Sequence, residues 1–304
     1  MYVATLPKWN GPANDVAQQQ VNTICNIVIP LDGTAGSRAA IPVARSLAKL
    51  YKAAPHLLYV GQAQLDPKNM LVLLGVESQD LPGAVLDCFQ GDAAEAIVRA
   101  ARDLPRALIV MCTQTGNQVV NDRFGSIAER VLASGPERIV LLPPERGDAP
   151  WSLRRVLLAH DGTSASDAAT GFAAELSLLS QAEVVALHVA APKTASPEEP
   201  GSLPAPRYID QPQHEWPAWT GEFLDRMLAM GAPTSAVHFD LLVSGGQRGS
   251  EIAEKARQQQ ADLAVMAWDG EWEHAKHVAT RVVIRTSGCP VLLVRPKNGT
   301  TSGA

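Results

Sequence analysis

Two carboxylates in this chain stand where a ligand could be held. Asp32 lies in "IVIPLDGTAGS" (27–37) and Asp161 in "RVLLAHDGTSAS" (155–166); each closes an apolar run and is followed by Gly-Thr. Asp-Gly is turn chemistry, since Asp satisfies nearby backbone amides and Gly accepts unusual backbone angles. Placed twice at the end of equivalent strands, it is also an anchor for a ligand. A second feature is "GSIAERVL" (125–132), which follows a polar loop. Gly125 permits close backbone approach, and the free amides of the helix start form an anion site. Its alternative is a capping box, in which Ser126 and Glu129 satisfy those amides reciprocally. In "MAWDGEWEHAKHVATR" (266–281), Trp268 and Trp272 could stack on a base or plug the pocket. His274 and His277 with Glu271 and Glu273 are a conceivable metal cluster, but His-x-x-His is a weak signature, and no metal site is assigned. His160 reads as a packed residue rather than a catalytic one.

These residues are positioned by a repeat. "NIVIPLDGTAGSRAAIPVARSLAKLYKAAPHLLYV" (26–60) aligns without a gap with "RVLLAHDGTSASDAATGFAAELSLLSQAEVVALHV" (155–189), at a shift of 129 positions. "GDAAEAIVRAARDLPRALIVM" (91–111) matches "GQRGSEIAEKARQQQADLAVM" (246–266) at a shift of 155, so the second copy carries an insertion. That insertion, about 191–220, is rich in Pro, Ser and acid and reads as a long surface loop. The short runs "NIVIPL", "HLLYV", "AVLDCF", "ALIVM" and "RIVLLP" are nearly all apolar, as strands covered on both faces should be.

Helices alternate with them. Ala44, Leu47, Ala48 and Tyr51 recur at helical spacing, with Pro42 placing the helix start late. "DPKNMLVLLG" (66–75) is read as a helix because its counterpart "GEFLDRMLAMG" (221–231) is one, each ended by a glycine. In "SGGQRGS" (244–250), Ser250 is read as the cap of the next helix. Each half is thus β-α-β-α-β-α-β-α-β, giving two tandem open parallel five-stranded sheets with helices on both faces; such sheets hold ligands beyond the carboxyl ends of their strands. The expected division is a loose N-terminal extension (1–21), a first domain (22–146), a second (152–297) and a tail (298–304).

A net charge of −5 with no concentrated basic tract argues against a nucleic-acid partner. No apolar run reaches membrane-helix length, no signal peptide is evident, and Cys25, Cys88, Cys112 and Cys289 are too far apart for a metal set, so they read as reduced core thiols of a cytoplasmic protein.

The chain resembles the universal stress protein family over nearly all of both halves, as a tandem member, on "IVIPLDGTAGSRAA", "GDAAEAIVRAARDLPRALIVM" and "GSIAERVL". The resemblance implies a Rossmann-like fold packed as an intramolecular pseudo-dimer, alone or in a homodimer, with "RIVLLP" (138–143) and "PVLLVRP" (290–296) pairing across the halves. It implies an adenine-nucleotide site (AMP, ADP or ATP) at Pro30, Leu31, Asp32, Thr34, Val60, Met111, Gly125, Ser126 and Ile127. The second-half counterparts are Asp161, Thr163, Val189, Met266 and Gly270. Cys112 and Thr115 occupy two glycine positions of the family's phosphate loop, Ala267 a third, and Lys276-His277 the second Gly-Ser position. Fewer phosphates are therefore easier to hold. The implied function is that of a stress-response protein binding the nucleotide weakly as a sensor, with no catalytic set. The alternative is a non-nucleotide scaffold with a protein partner.

Overall fold

A computed structural model describes residues 2–5, 24–61, 66–113, 125–143, 147, 149–190, 237, 239–269 and 277–295. The insertion, "GEFLDRMLAMG", Thr115, Gly270, Trp272, the proposed metal cluster apart from His277, and the tail lie outside the described residues.

The strands are β1 (Tyr2–Thr5), β2 (Asn26–Pro30), β3 (Ala54–Gly61), β4 (Val85–Gln90), β5 (Ala107–Cys112), β6 (Arg138–Leu142), β7 (Arg155–Ala159), β8 (Glu183–Ala190), β9 (Phe239–Gly245), β10 (Leu263–Ala267) and β11 (Val291–Val294). The helices are α1 (Ala35–Arg38), α2 (Ala40–Tyr51), α3 (Pro67–Leu74), α4 (Ala93–Asp103), α5 (Ser126–Ala133), α6 (Asp167–Ser180), α7 (Arg248–Gln258) and α8 (His277–Thr286). No described helix is long and apolar enough to cross a membrane.

All eleven strands form one sheet in the order β1-β9-β8-β7-β10-β11-β6-β5-β2-β3-β4. Each half repeats one parallel topology: β4-β3-β2-β5-β6 answers β9-β8-β7-β10-β11. The halves are not two separate sheets, because β6 and β11 join antiparallel, Val140 opposite Leu292. Both strands are wholly buried, so either alone would be a bare apolar edge. The antiparallel seam points the carboxyl edges of the two halves in opposite directions. The Asp32 and Asp161 loops therefore lie at opposite ends of the molecule.

Successive strand residues serve opposite faces. Ile27 and Ile29 pack with α2, α3 and α6, while Val28 packs with α4, α5, α7 and α8. Trp151 ties the halves at the amino end of the second: its carbonyl accepts from Ser46 Oγ at 2.8 Å and its indole donates to the Asp262 carbonyl at 3.1 Å.

Local details correct several expectations. The N-terminal extension is not loose throughout, since Tyr2–Thr5 pairs antiparallel with β9. The helix after β2 comes in two pieces with a break at Ala39, which puts Pro42 in the first turn of α2. A proline there lacks only an amide that needs no intrahelical partner. The expected helix at 66–75 is present, with Asp66 accepting from the Lys68 and Asn69 amides and Gly75 ending it at φ +62°. Ser126 and Ser250 are not caps. Gly125 and Gln247 occupy those positions in extended conformation, and neither makes a side-chain cap bond.

Candidate functional site

Strand β2 lies between β3, whose crossover helix packs on one face, and β5, whose helix α5 packs on the other. The gap beyond the carboxyl ends of β2 and β5 is thus a switch point of the kind that holds ligands. The structure brings Asp32 and the start of α5 to its two sides.

Asp32 Oδ1 accepts from the Thr34 amide at 2.9 Å and the Thr34 hydroxyl at 2.7 Å. Thr34 Oγ1 in turn caps α1 by accepting from the Ser37 amide at 3.2 Å, and Ser37 Oγ donates to the Thr34 carbonyl at 3.0 Å. Gly33 is required twice over. Its φ is +84°, and a Cβ there would lie 2.8 Å from the Leu73 carbonyl oxygen at the end of α3. Arg38 donates to the Gly33 carbonyl at 3.3 Å, so the loop is held from below as well. The turn reading and the anchor reading of Asp32 are compatible: one carboxylate oxygen serves the loop, and the residue is exposed at the sheet edge.

Across the gap, the Thr113 amide donates to the Leu142 carbonyl at 2.9 Å and the Gly125 amide to the Thr113 carbonyl at 2.8 Å. This pins the first turn of α5 to the end of β5. Its leading amides have no intrahelical acceptors and no side-chain cap, which leaves a partial positive charge at the cleft. Met111 is buried, and Val60 and Ile127 pack half-buried against the same cluster. Leu31 is a core residue, 4% exposed, with its amide donating to the Leu58 carbonyl at 2.9 Å. Pro30 is half-buried. Cys112 is buried, its thiol 3.9 Å from the Ser37 carbonyl, so it fills space where the family pattern has glycine.

The second half is built differently. Asp161 Oδ1 accepts three bonds, from the Thr163 amide at 3.0 Å, the Thr163 hydroxyl at 2.7 Å and Ser166 Oγ at 2.7 Å. His160 Nδ1 accepts from the Gly162 amide at 3.0 Å, and buried His188 donates from Nδ1 to the His160 carbonyl at 3.1 Å. Burial pushes the His188 imidazole below its usual range, and the Arg248 charge adds to this; the His160 carbonyl and Asp161 offset it only in part. Val189 and Met266 are buried, and Trp268, 4% exposed, packs into the same wall.

Partial burial pushes the Asp161 carboxyl up, but its bonds from Ser166 and Thr163 and the nearby His160 outweigh this and hold it below the ordinary carboxylate range. A group depressed in this way stabilises fully above its unfolded value, about 3.9, and that contribution is lost as pH falls through the folded value. Asp161→Asn should therefore cost stability near pH 7 and progressively less below about pH 4, as read by urea unfolding of both proteins across that range. A penalty independent of pH would contradict the assignment.

Ser37 and Ser166 escaped the sequence reading although they repeat at the same shift of 129 as the aspartates. The signal was Asp-Gly-Thr-x-x-Ser in both halves. Thr113 carried no such signal.

Comparison with known proteins follows the second half most closely. Residues 152–295 match the model of the universal stress protein family. No curated protein matches the chain. Among solved structures, a functionally unknown protein from Pseudomonas aeruginosa PAO1 is 14% identical with a TM-score of 0.65, covering 91% of this chain and 94% of that one. A universal stress protein from Archaeoglobus fulgidus is 15% identical with a TM-score of 0.62, covering 92% and 99%. At these identities the likeness is one of fold.

Proposed function

Residues 152–295 place this chain in the universal stress protein family, and from that premise we propose that it binds an adenine nucleotide at the carboxyl edge of its first half, as a sensor without substantial turnover. The observation that carries the reading is the pairing, across neighbouring strands β2 and β5, of Asp32 with the uncapped start of α5 at Gly125-Ser126. A carboxylate on one side suits the hydroxyls and amine of a nucleoside, and helix amides on the other suit a phosphate.

Magnitudes set the ligand. A helix-terminus contact contributes roughly 0.3 to 1 kcal/mol when exposed and up to about 2 when partly buried, so phosphate alone cannot hold it. Asp32 and the apolar wall of Val60, Met111 and Ile127 must supply most of the affinity. With Cys112 in a glycine position, one or two phosphates fit more readily than three. The second half offers the counterpart Asp161, Thr163, Val189 and Met266, but its Asp161 Oδ1 already takes three loop donors and Trp268 fills the adjoining wall. The first site therefore dominates.

Thermal unfolding with millimolar AMP, ADP, ATP or UMP tests this. Ligand at ten times its Kd raises stability by about 1.4 kcal/mol. AMP or ADP should raise the midpoint more than ATP, and UMP should leave it in place. Equal shifts from all four, or none, would favour the scaffold reading.

A further inference from the structure

Four side chains meet over the seam where α2 of the first half faces α6 of the second. Arg138 leaves β6 with its guanidinium 5.1 Å from the centre of the Phe172 ring on α6. Glu175 stands one turn beyond Phe172, and Tyr51 closes the group from the end of α2. Arg138 is 9% exposed, Glu175 5% and Tyr51 2%. The Tyr51 phenol is raised well above its ordinary value by burial first and then by Glu175, with Arg138 opposing, so all three groups lie within electrostatic reach of one another. Among the described residues Tyr51 Oη and Arg138 Nη1 have no hydrogen-bond partner. Two opposite charges are thus held out of water at a junction whose strands are otherwise entirely apolar.

The repeat shows what each charge would meet in a different pairing. At the shift of 129, Phe172 corresponds to Val43, Glu175 to Ser46 and Tyr51 to Ser180. Ile109 pairs with Ile139 in the first half, and Ala264 with Val291 in the second, so the position of Arg138 is taken by Pro290. If two first halves paired through their end strands, Arg138 would be buried against Val43 and Ser46 with no carboxylate and no ring. If two second halves paired, Glu175 would be buried against Pro290 and Ser180 with no cation. A buried charge stripped of its partner is strongly unfavourable, whereas the apolar strands themselves would accept any of the three pairings.

We propose that Arg138 and Glu175, with Tyr51 and Phe172, are a specificity lock that restricts the end-strand surface of the first half to one partner, a second half of this chain, and excludes symmetric pairing between copies. The lock selects the partner, and the apolar strands supply the stability.

The test uses full-length R138E and E175R carrying different tags, and the double variant R138E/E175R. Each single variant places like charges at the seam when folded alone, and its melting midpoint should fall by about 5 °C or more. Refolded together from denaturant, the two should give a mixed assembly of twice the chain mass containing both tags, because exchange of halves restores opposite charges at both seams. The double variant should fold as a single chain and melt above either single variant. A cluster that merely stabilised the fold would restore the double variant without producing the mixed assembly, and that result overturns the proposal. Additive losses in the double variant overturn it too. Should either single variant fail to fold alone, the co-refolded mixture and the double variant still decide.

Discussion

Val140→Asp should lower the unfolding free energy by about 3 to 5 kcal/mol, the cost of an uncompensated buried charge. Val140 is 0% exposed in β6, between Val110 of β5 and Leu292 of β11. No cation or amide faces it there, because β6 and β11 are apolar along their paired length apart from Arg138 at one end. Val140→Ala removes only two methyl groups and should cost about 2 kcal/mol. Urea unfolding of the two variants separates the terms. A domain is stable by only about 5 to 15 kcal/mol, so the aspartate takes a large fraction of the total. Equal costs for the two substitutions would mean that the seam is open to water and that the single continuous sheet is wrong.

Gly33→Val should cost about 3 kcal/mol, from two sources of similar size. The first is backbone: φ is +84°, where a β-branched residue is strained. The second is contact, since the added Cβ would stand 2.8 Å from the Leu73 carbonyl oxygen, which belongs to the backbone of α3 and cannot swing aside. Gly83 supplies the control. Its φ is +75° but nothing lies within 4 Å of an added Cβ. Gly83→Ala should therefore cost about 1 kcal/mol, the backbone share alone, and Gly33→Ala clearly more. Equal losses at Gly33 and Gly83 would remove the contact between α3 and the Asp32 loop. Displacement of α3 in Gly33→Val would also disturb Asp32, so the same variant should weaken any ligand held there.

The repeat made most of this architecture legible. Strands covered on both faces are continuous apolar runs, so "NIVIPL" and "ALIVM" announced themselves, and the aligned second copy decided the α3 segment that "MLVLL" alone left ambiguous. What failed to show was short or long-range. β1 is four residues with no partner nearby in sequence, and its strand character comes from the edge of β9. "SIAE" carries the residue types of a capping box, yet the cap needs extended backbone, and that conformation falls on Gly125 at φ −61°, ψ 138°. Ser126 is already helical. In the site, the aspartates were visible as repeated punctuation, but the approach of the Leu73 carbonyl to Gly33 joins residues forty positions apart and has no local signature. The difference between the halves was written in the sequence, as His160 and His188 standing at the shift of 129 from Leu31 and Tyr59, and acquires meaning only once both histidines are seen buried beneath Asp161.

The central claim is that an adenine nucleotide is held at the Asp32 loop and the start of α5. Calorimetric titration of AMP, ADP and ATP into the wild type, Asp32→Ala and Asp161→Ala addresses it directly. The account predicts weak binding, stronger for the mono- or diphosphate than for ATP, lost in Asp32→Ala and nearly unchanged in Asp161→Ala. Binding that survives Asp32→Ala and disappears in Asp161→Ala, or no heat from any of the three nucleotides, would contradict it.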